Sequence, residues 1–215
     1  MTKSIISFRD RLDLIVSSAY EIICNKIAGG EISVHNEASL QLQIGSVIKN
    51  LGYLYEFSST DHFSIELETY QDITETAKTK GRARCDIELS FISGKDNSTK
   101  TRALIELKFF KVSETKNSSE ATKDNRFAVL MDIENLEHYQ KERRKGEKIP
   151  LCYEIVFAEN STYADPLTRA SIKIGEGQTV SGSIDYGKKK VSLTKQYQFH
   201  WDYFEGSLYS LLLKI

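Results

Sequence analysis

Ala83-Arg84-Cys85-Asp86-Ile87-Glu88-Leu89 and Ala103-Leu104-Ile105-Glu106-Leu107-Lys108-Phe109 are two runs in which apolar and polar residues alternate, and their reading decides the fold. Alternation with a period of two marks a strand with one covered face. Between them lies Ser93-Gly94-Lys95-Asp96-Asn97-Ser98, a polar turn. The runs therefore predict an antiparallel hairpin filling 82–111 and centred near Asp96. That register sets Asp86 opposite Glu106, and Lys108, two residues on, shares the face of Glu106. Two carboxylates and an ammonium are then expected on one patch of sheet, able to hold a divalent cation and a water.

The flanking sequence supplies helices to cover this sheet. Residues 4–28 read as a helix, with Ile5, Phe8, Leu12, Ile15, Val16, Ala19, Ile22, Ile23 and Ile27 on one stripe and Gly29-Gly30 as its stop. Asn36 is the expected N-cap of a second helix reaching about Lys49. Its inner stripe is Leu40, Ile44, Val47, Ile48 and Leu51, and Glu37 is in phase with Leu40 and Ile44. Tyr53–Phe57 and Phe63–Thr69 read as strands, and 71–81 as loop. Residues 113–125 contain almost nothing to bury and are expected to form a mobile loop. A helix is expected next, from Asp124 or Asp132 to Lys145, with Ile133, Leu136 and either Tyr139 or Gln140 inward. Leu151–Ala158 is an apolar run suited to a buried strand. In the last part, Ser171–Ile174, Thr179–Ser183, Val191–Leu193 and Tyr197–Tyr203 read as short strands, while Leu208–Lys214 fits strand or helix.

Composition bounds the rest. The chain has 215 residues, 40% hydrophobic and 27% charged, which suits a soluble globular protein with a real core. One domain over 1–215 is expected, with its core over about 36–158, an N-terminal helix over 4–28 and a β-rich extension over 167–215. The formal net charge of −1 excludes nucleic-acid binding through bulk positive charge, while leaving room for a local basic groove. Cys24, Cys85 and Cys152 sit far apart in apolar runs and read as buried free thiols. No basic start with an apolar core marks a secretory signal, and no apolar run reaches membrane-spanning length. A cytoplasmic location with no membrane partner is the expectation.

An acidic residue on an early helix, an aspartate on a strand and Glu-x-Lys on the next strand together resemble the PD-(D/E)xK nuclease superfamily. The matching residues are Glu37, Asp86 and Glu106-Leu107-Lys108. The expected order of helix, three strands, helix and strand over about 36–158 is similar to that superfamily's core. The resemblance implies an α/β fold with a central mixed sheet flanked by helices, a restriction endonuclease-like core carrying a β-rich C-terminal extension. It implies a metal-dependent endonuclease hydrolysing DNA, of the restriction or defence kind. Asp86, Glu106 and the Leu107 carbonyl would bind Mg²⁺, with Mn²⁺ as the alternative. Lys108 would assist the attacking water, and Glu37 would support the site. Cys85 stands where the motif's proline would be, a proline that many members of the superfamily lack. DNA is the expected partner, and a homodimer is allowed.

Other features are weaker signals. Glu-x-Lys recurs at Glu114-Thr115-Lys116, but in a polar loop with no aligned acidic partner. Phosphate contacts are assigned to Arg82, Arg84, Arg143 and Arg144, and Gln140 is a candidate to reach the site from its helix. Glu31 is the fallback for Glu37, whose place in a first turn is also explained by the helix dipole. The lysines at 188–190 read as a solvated turn, and the four histidines lack metal-ligand spacing. The competing account makes Asp86, Glu88, Glu106 and Lys108 the wet face of an ordinary hairpin. Against it, like charges directly opposite destabilise a ladder, and Leu104 and Phe110 share the face. A catalytically inactive relative of the fold that binds nucleic acid or protein is the alternative function.

Overall fold

The computed structural model describes residues 6–71, 83–94, 100–111, 118–141, 148–167, 170–204 and 208–215. Three helices flank a mixed sheet: α1 (Phe8–Ala28), α2 (Glu37–Leu54) and α3 (Ser118–Lys141). The strands are β1 (Asp61–Gln71), β2 (Ala83–Ser93), β3 (Thr101–Phe110), β4 (Leu151–Ala158), β5 (Thr179–Tyr186), β6 (Lys189–Gln198), β7 (Asp202–Phe204) and β8 (Leu208–Lys214). Six of them form one sheet in the order β1-β2-β3-β4-β8-β7, and β5 and β6 form a separate hairpin. β3 and β4 are parallel; every other neighbouring pair in the large sheet is antiparallel.

β2 and β3 pair from Ile87 with Ile105 to Phe91 with Thr101, a ladder centred on position 96. This is the register that the alternation requires. Successive residues of β3 and β4 point to opposite faces, and both faces are covered. Ile105, Leu107, Tyr153, Ile155 and Phe157 pack with the apolar stripes of α1 and α2. On the other face, Leu104 and Cys152 pack with Leu136 and Tyr139 of α3. Phe110, Val156 and Ala158 pack with Phe127, Leu130 and the β5–β6 hairpin. Burial on both faces is why β4 reads as an unbroken apolar run. Glu137 of α3 ties the hairpin down: its carboxylate accepts from the Thr194 and Lys195 N–H groups and the Tyr197 hydroxyl.

Local chemistry explains the helix starts. The Ser7 side chain caps α1 by accepting from Asp10 N–H, so the helix begins at Phe8 rather than at residue 4; Ile5 lies outside the described residues. Asn36 caps α2 in a capping box with Ser39, as its sequence position indicates. All three cysteines are free and buried.

Several expectations need correction. Tyr53 and Leu54 end α2 instead of opening a strand, and Tyr55–Phe57 is not strand. Gly52 lets the last turns of α2 pass over Phe63, so the helix runs past Lys49. Residues 118–125 are helical, because α3 begins at Ser118 and Arg126 is buried with bonds to the Thr162 and Ile172 carbonyls. Ser171–Ile174 is not strand; its two isoleucines are buried under irregular backbone. Tyr197–Tyr203 is broken at Phe199–Trp201, where the chain passes from β6 to β7. Leu208–Lys214 is a strand. The loop expected over 71–81 falls, but for Gln71 at the end of β1, outside the described residues, as do 112–117 and 142–147.

Candidate active site

The site forms where β2 and β3 part. Their backbone ladder stops at Ile87 and Ile105, one pair short of Asp86 and Glu106. The Asp86 side chain takes over there, its Oδ2 accepting from Leu107 N–H at 2.7 Å. The Asp86 carbonyl accepts from Gln41 Nε2 of α2 at 2.7 Å, and the same Nε2 donates to Glu68 at 3.1 Å. Glu68, between the Leu67–Ile87 and Thr69–Cys85 pairs of β1 with β2, has a φ of 58°, the left-handed region that side chains other than glycine avoid. Backbone strain of this kind persists only where its surroundings over-determine it.

Glu106 is 4% exposed, and its carboxyl is hydrogen-bonded to that of Asp86. Burial, reinforced by Asp132 and Asp86 and opposed by Lys108, pushes Glu106 up to about 10. Glu106 therefore carries a proton at neutral pH and donates it towards Asp86. Burial raises Asp86 as well, opposed by the Leu107 N–H, Lys108 and the Glu106 hydrogen bond. Two carboxyls that would repel as anions are thus held together by one proton.

Lys108 lies among acids. Its Nζ is 2.7 Å from Asp132 Oδ2 on α3 and 3.8 Å from Glu37 Oε2 on α2, and it donates to the Leu107 carbonyl at 3.1 Å. Burial works against the ammonium, but Asp132, Glu154 and Glu37 outweigh it and hold the amine above its ordinary range. Lys108 is therefore a charged donor here rather than a base. Glu37 accepts from the Phe109 backbone; burial, with Asp86 and Asp132, raises it despite Lys108.

Asp132 and Glu154 complete the cluster, and the motif did not indicate either. Asp132 is four residues before buried Leu136 and seven before buried Tyr139, so an acid on an inward stripe was the signal. Glu154 stands across the parallel ladder from Glu106 and is wholly buried. Neither of its oxygens has a hydrogen-bond partner among the described residues. Burial, then Asp132, raise it well above the usual carboxylate range. Its signal was one acid in an otherwise apolar run of eight.

Glu88 shows what a structural carboxylate looks like in the same sheet. It is also buried, but it pairs with Lys100 at 2.9 Å and accepts from Gln71 at 2.9 Å. Those partners outweigh burial and hold it below its ordinary range. The wet-face account of the hairpin fails, since Glu88 and Glu106 are both buried.

The other named residues are not brought to this cluster. Arg84 is exposed and paired with Glu68. Gln140 donates to the Ile215 carbonyl at 2.7 Å and accepts from Lys195 at 2.9 Å. Glu31 pairs with Lys26 at 2.6 Å. Arg82, Arg143 and Arg144 lie outside the described residues.

Among the described residues, no group of three or more His, Cys, Asp or Glu side chains is gathered closely enough to hold a metal ion. The donor set read from the sequence needs only two, Asp86 and Glu106, with the Leu107 carbonyl. No helix among the described residues is long and apolar enough to cross a membrane. Comparison of the chain with protein-family models, curated proteins and solved structures found no match.

Proposed function

We propose that this chain is a Mg²⁺-dependent phosphodiesterase that cuts DNA, of the restriction or defence kind, on a restriction endonuclease-like core. The observation that carries the reading is the Asp86–Glu106 carboxyl pair, with Leu107 and Lys108 beside it where β2 leaves β3. The order α2, β1, β2, β3, α3, β4 is consistent with that core.

The residues fit a hard cation. A buried carboxyl pair joined by a single proton has oxygens to offer once the proton leaves. Glu154, beside Glu106, is a buried polar group neither of whose oxygens has a hydrogen-bond partner among the described residues. Asp86, Glu106 and the Leu107 carbonyl would hold Mg²⁺ or Mn²⁺. Such an ion supplies charge to counter a phosphate and acidifies a bound water. The chain's own share is positional. Leu107 N–H fixes Asp86. Lys108, charged and held by Asp132 and Glu37, presents N–H donors to a phosphate oxygen or to the attacking water.

Cleavage of supercoiled and linear DNA with Mg²⁺ or Mn²⁺ tests this. Asp86→Ala and Lys108→Ala are expected to abolish cutting while thermal unfolding stays cooperative. Equal cutting by the variants would assign the activity elsewhere. A second reading, a binding module that does not cut, is favoured by the 2.7 Å Lys108–Asp132 pair, which already partners the lysine. Saturable DNA binding without metal-dependent hydrolysis would select it.

A further inference from the structure

A groove of about 420 Å³ opens near the start of α2, at the same end of β3 as this cluster, and none of the roles assigned above uses it. Its apolar walls come from Ile32, Val34, Phe109 and Leu208. Exposed His35 and Lys111 stand on its rim. The groove lies on the α1–α2 face of the sheet, and two links join it to Glu37 of the candidate active site. Phe109 lines the groove while its backbone bonds to Glu37, and His35 precedes Glu37 by two residues at the start of α2.

We infer that this groove receives one unstacked nucleobase of the DNA strand being cut, with its backbone phosphate at Lys111. The inference rests on the phosphodiesterase reading. The volume lies in the range of small-ligand sites, and the lining mixes apolar side chains with the polar Ser33, His35, Lys111 and Glu159. A nucleotide matches that division. Its base offers two apolar faces, suited to the Phe109 ring and the aliphatic wall. Its phosphate needs a cation, and Lys111 is placed at the mouth. Glu159 also lines the groove. Extruding a base costs little from single-stranded DNA and more from a paired duplex. The site therefore favours unpaired or distorted DNA.

The test uses a short single-stranded DNA carrying one 2-aminopurine, whose emission rises when the base leaves its neighbours. Ser33 is exposed and lines the groove, so Ser33→Trp fills it without touching the core; Lys111→Gln removes the cation. Thermal unfolding checks that both variants fold. The full-length protein, titrated in Ca²⁺ with cutting followed in parallel, is expected to give a saturable rise. Each variant is expected to weaken binding by about tenfold, the equivalent of one lost stacking or phosphate contact. No saturable rise for the unaltered protein, or affinities in both variants equal to it, would overturn the inference. Metal-dependent cutting without an emission change removes the groove and leaves the phosphodiesterase reading. A saturable rise lost in both variants, without any cutting, keeps the groove and removes hydrolysis.

Discussion

Among the described residues, Glu106 and Glu154 are buried acids with no ion pair of their own, and that sets the behaviour of the apo protein. The folded state holds Glu106 protonated up to about 10, whereas the unfolded chain releases that proton near its ordinary value. The native state thus binds more protons than the unfolded state across that window, and stability falls as pH rises through it. Thermal unfolding in EDTA should show the midpoint dropping between about pH 5 and pH 9. Glu106→Gln should flatten the drop, because an amide cannot ionise; curves parallel to the unaltered protein would contradict the assignment. Glu154→Leu should raise stability by about 1–3 kcal/mol, since it removes a buried carboxyl with no hydrogen bond among the described residues. It should also lower metal-dependent cutting, the trade expected of a residue kept for function. A destabilised Glu154→Leu with full activity would make Glu154 a packing residue.

At the scale of elements, α2 is positioned by its contact with β1. A Cβ at Gly52 would lie 2.1 Å from the Phe63 ring, which itself packs at a tilt against Phe91 with ring centroids 5.2 Å apart. Gly52→Ala should therefore cost about 1–3 kcal/mol in denaturant unfolding. Phe63→Leu in the same chain should recover part of that loss, and additive losses would place the clash elsewhere. This contact also shows why the sequence misled at Tyr53–Phe57. Aromatic and β-type residues there suggested a strand, but the tertiary fit of Gly52 on Phe63 continues the helix. The start of α3 was misread for a related reason. Residues 118–125 carry little apolar side chain, so periodicity was silent; the buried Arg126 bonds that seat this end on the 162–172 segment join residues distant in sequence.

For the whole molecule, the hairpin register, the stop of α1 at Gly29, the Asn36 cap of α2, the buried β4 and the Asp86–Glu106 meeting were legible, because each follows from local periodicity or a local cap. Asp132 and Glu154 were not assigned, since only the parallel pairing of β3 with β4 and the packing of α3 bring them beside Lys108. The β5–β6 hairpin was seen as strands, but its seat on α3 through Glu137 was not. The most direct measurement is calorimetric titration of the apo protein with Mn²⁺ near neutral pH, in two buffers of different ionisation heat. The carboxyl pair predicts binding that releases about one proton per ion, as the cation replaces the proton between Asp86 and Glu106. Asp86→Asn should lose that binding. Mn²⁺ that fails to bind, or binds equally well to Asp86→Asn, would contradict the account.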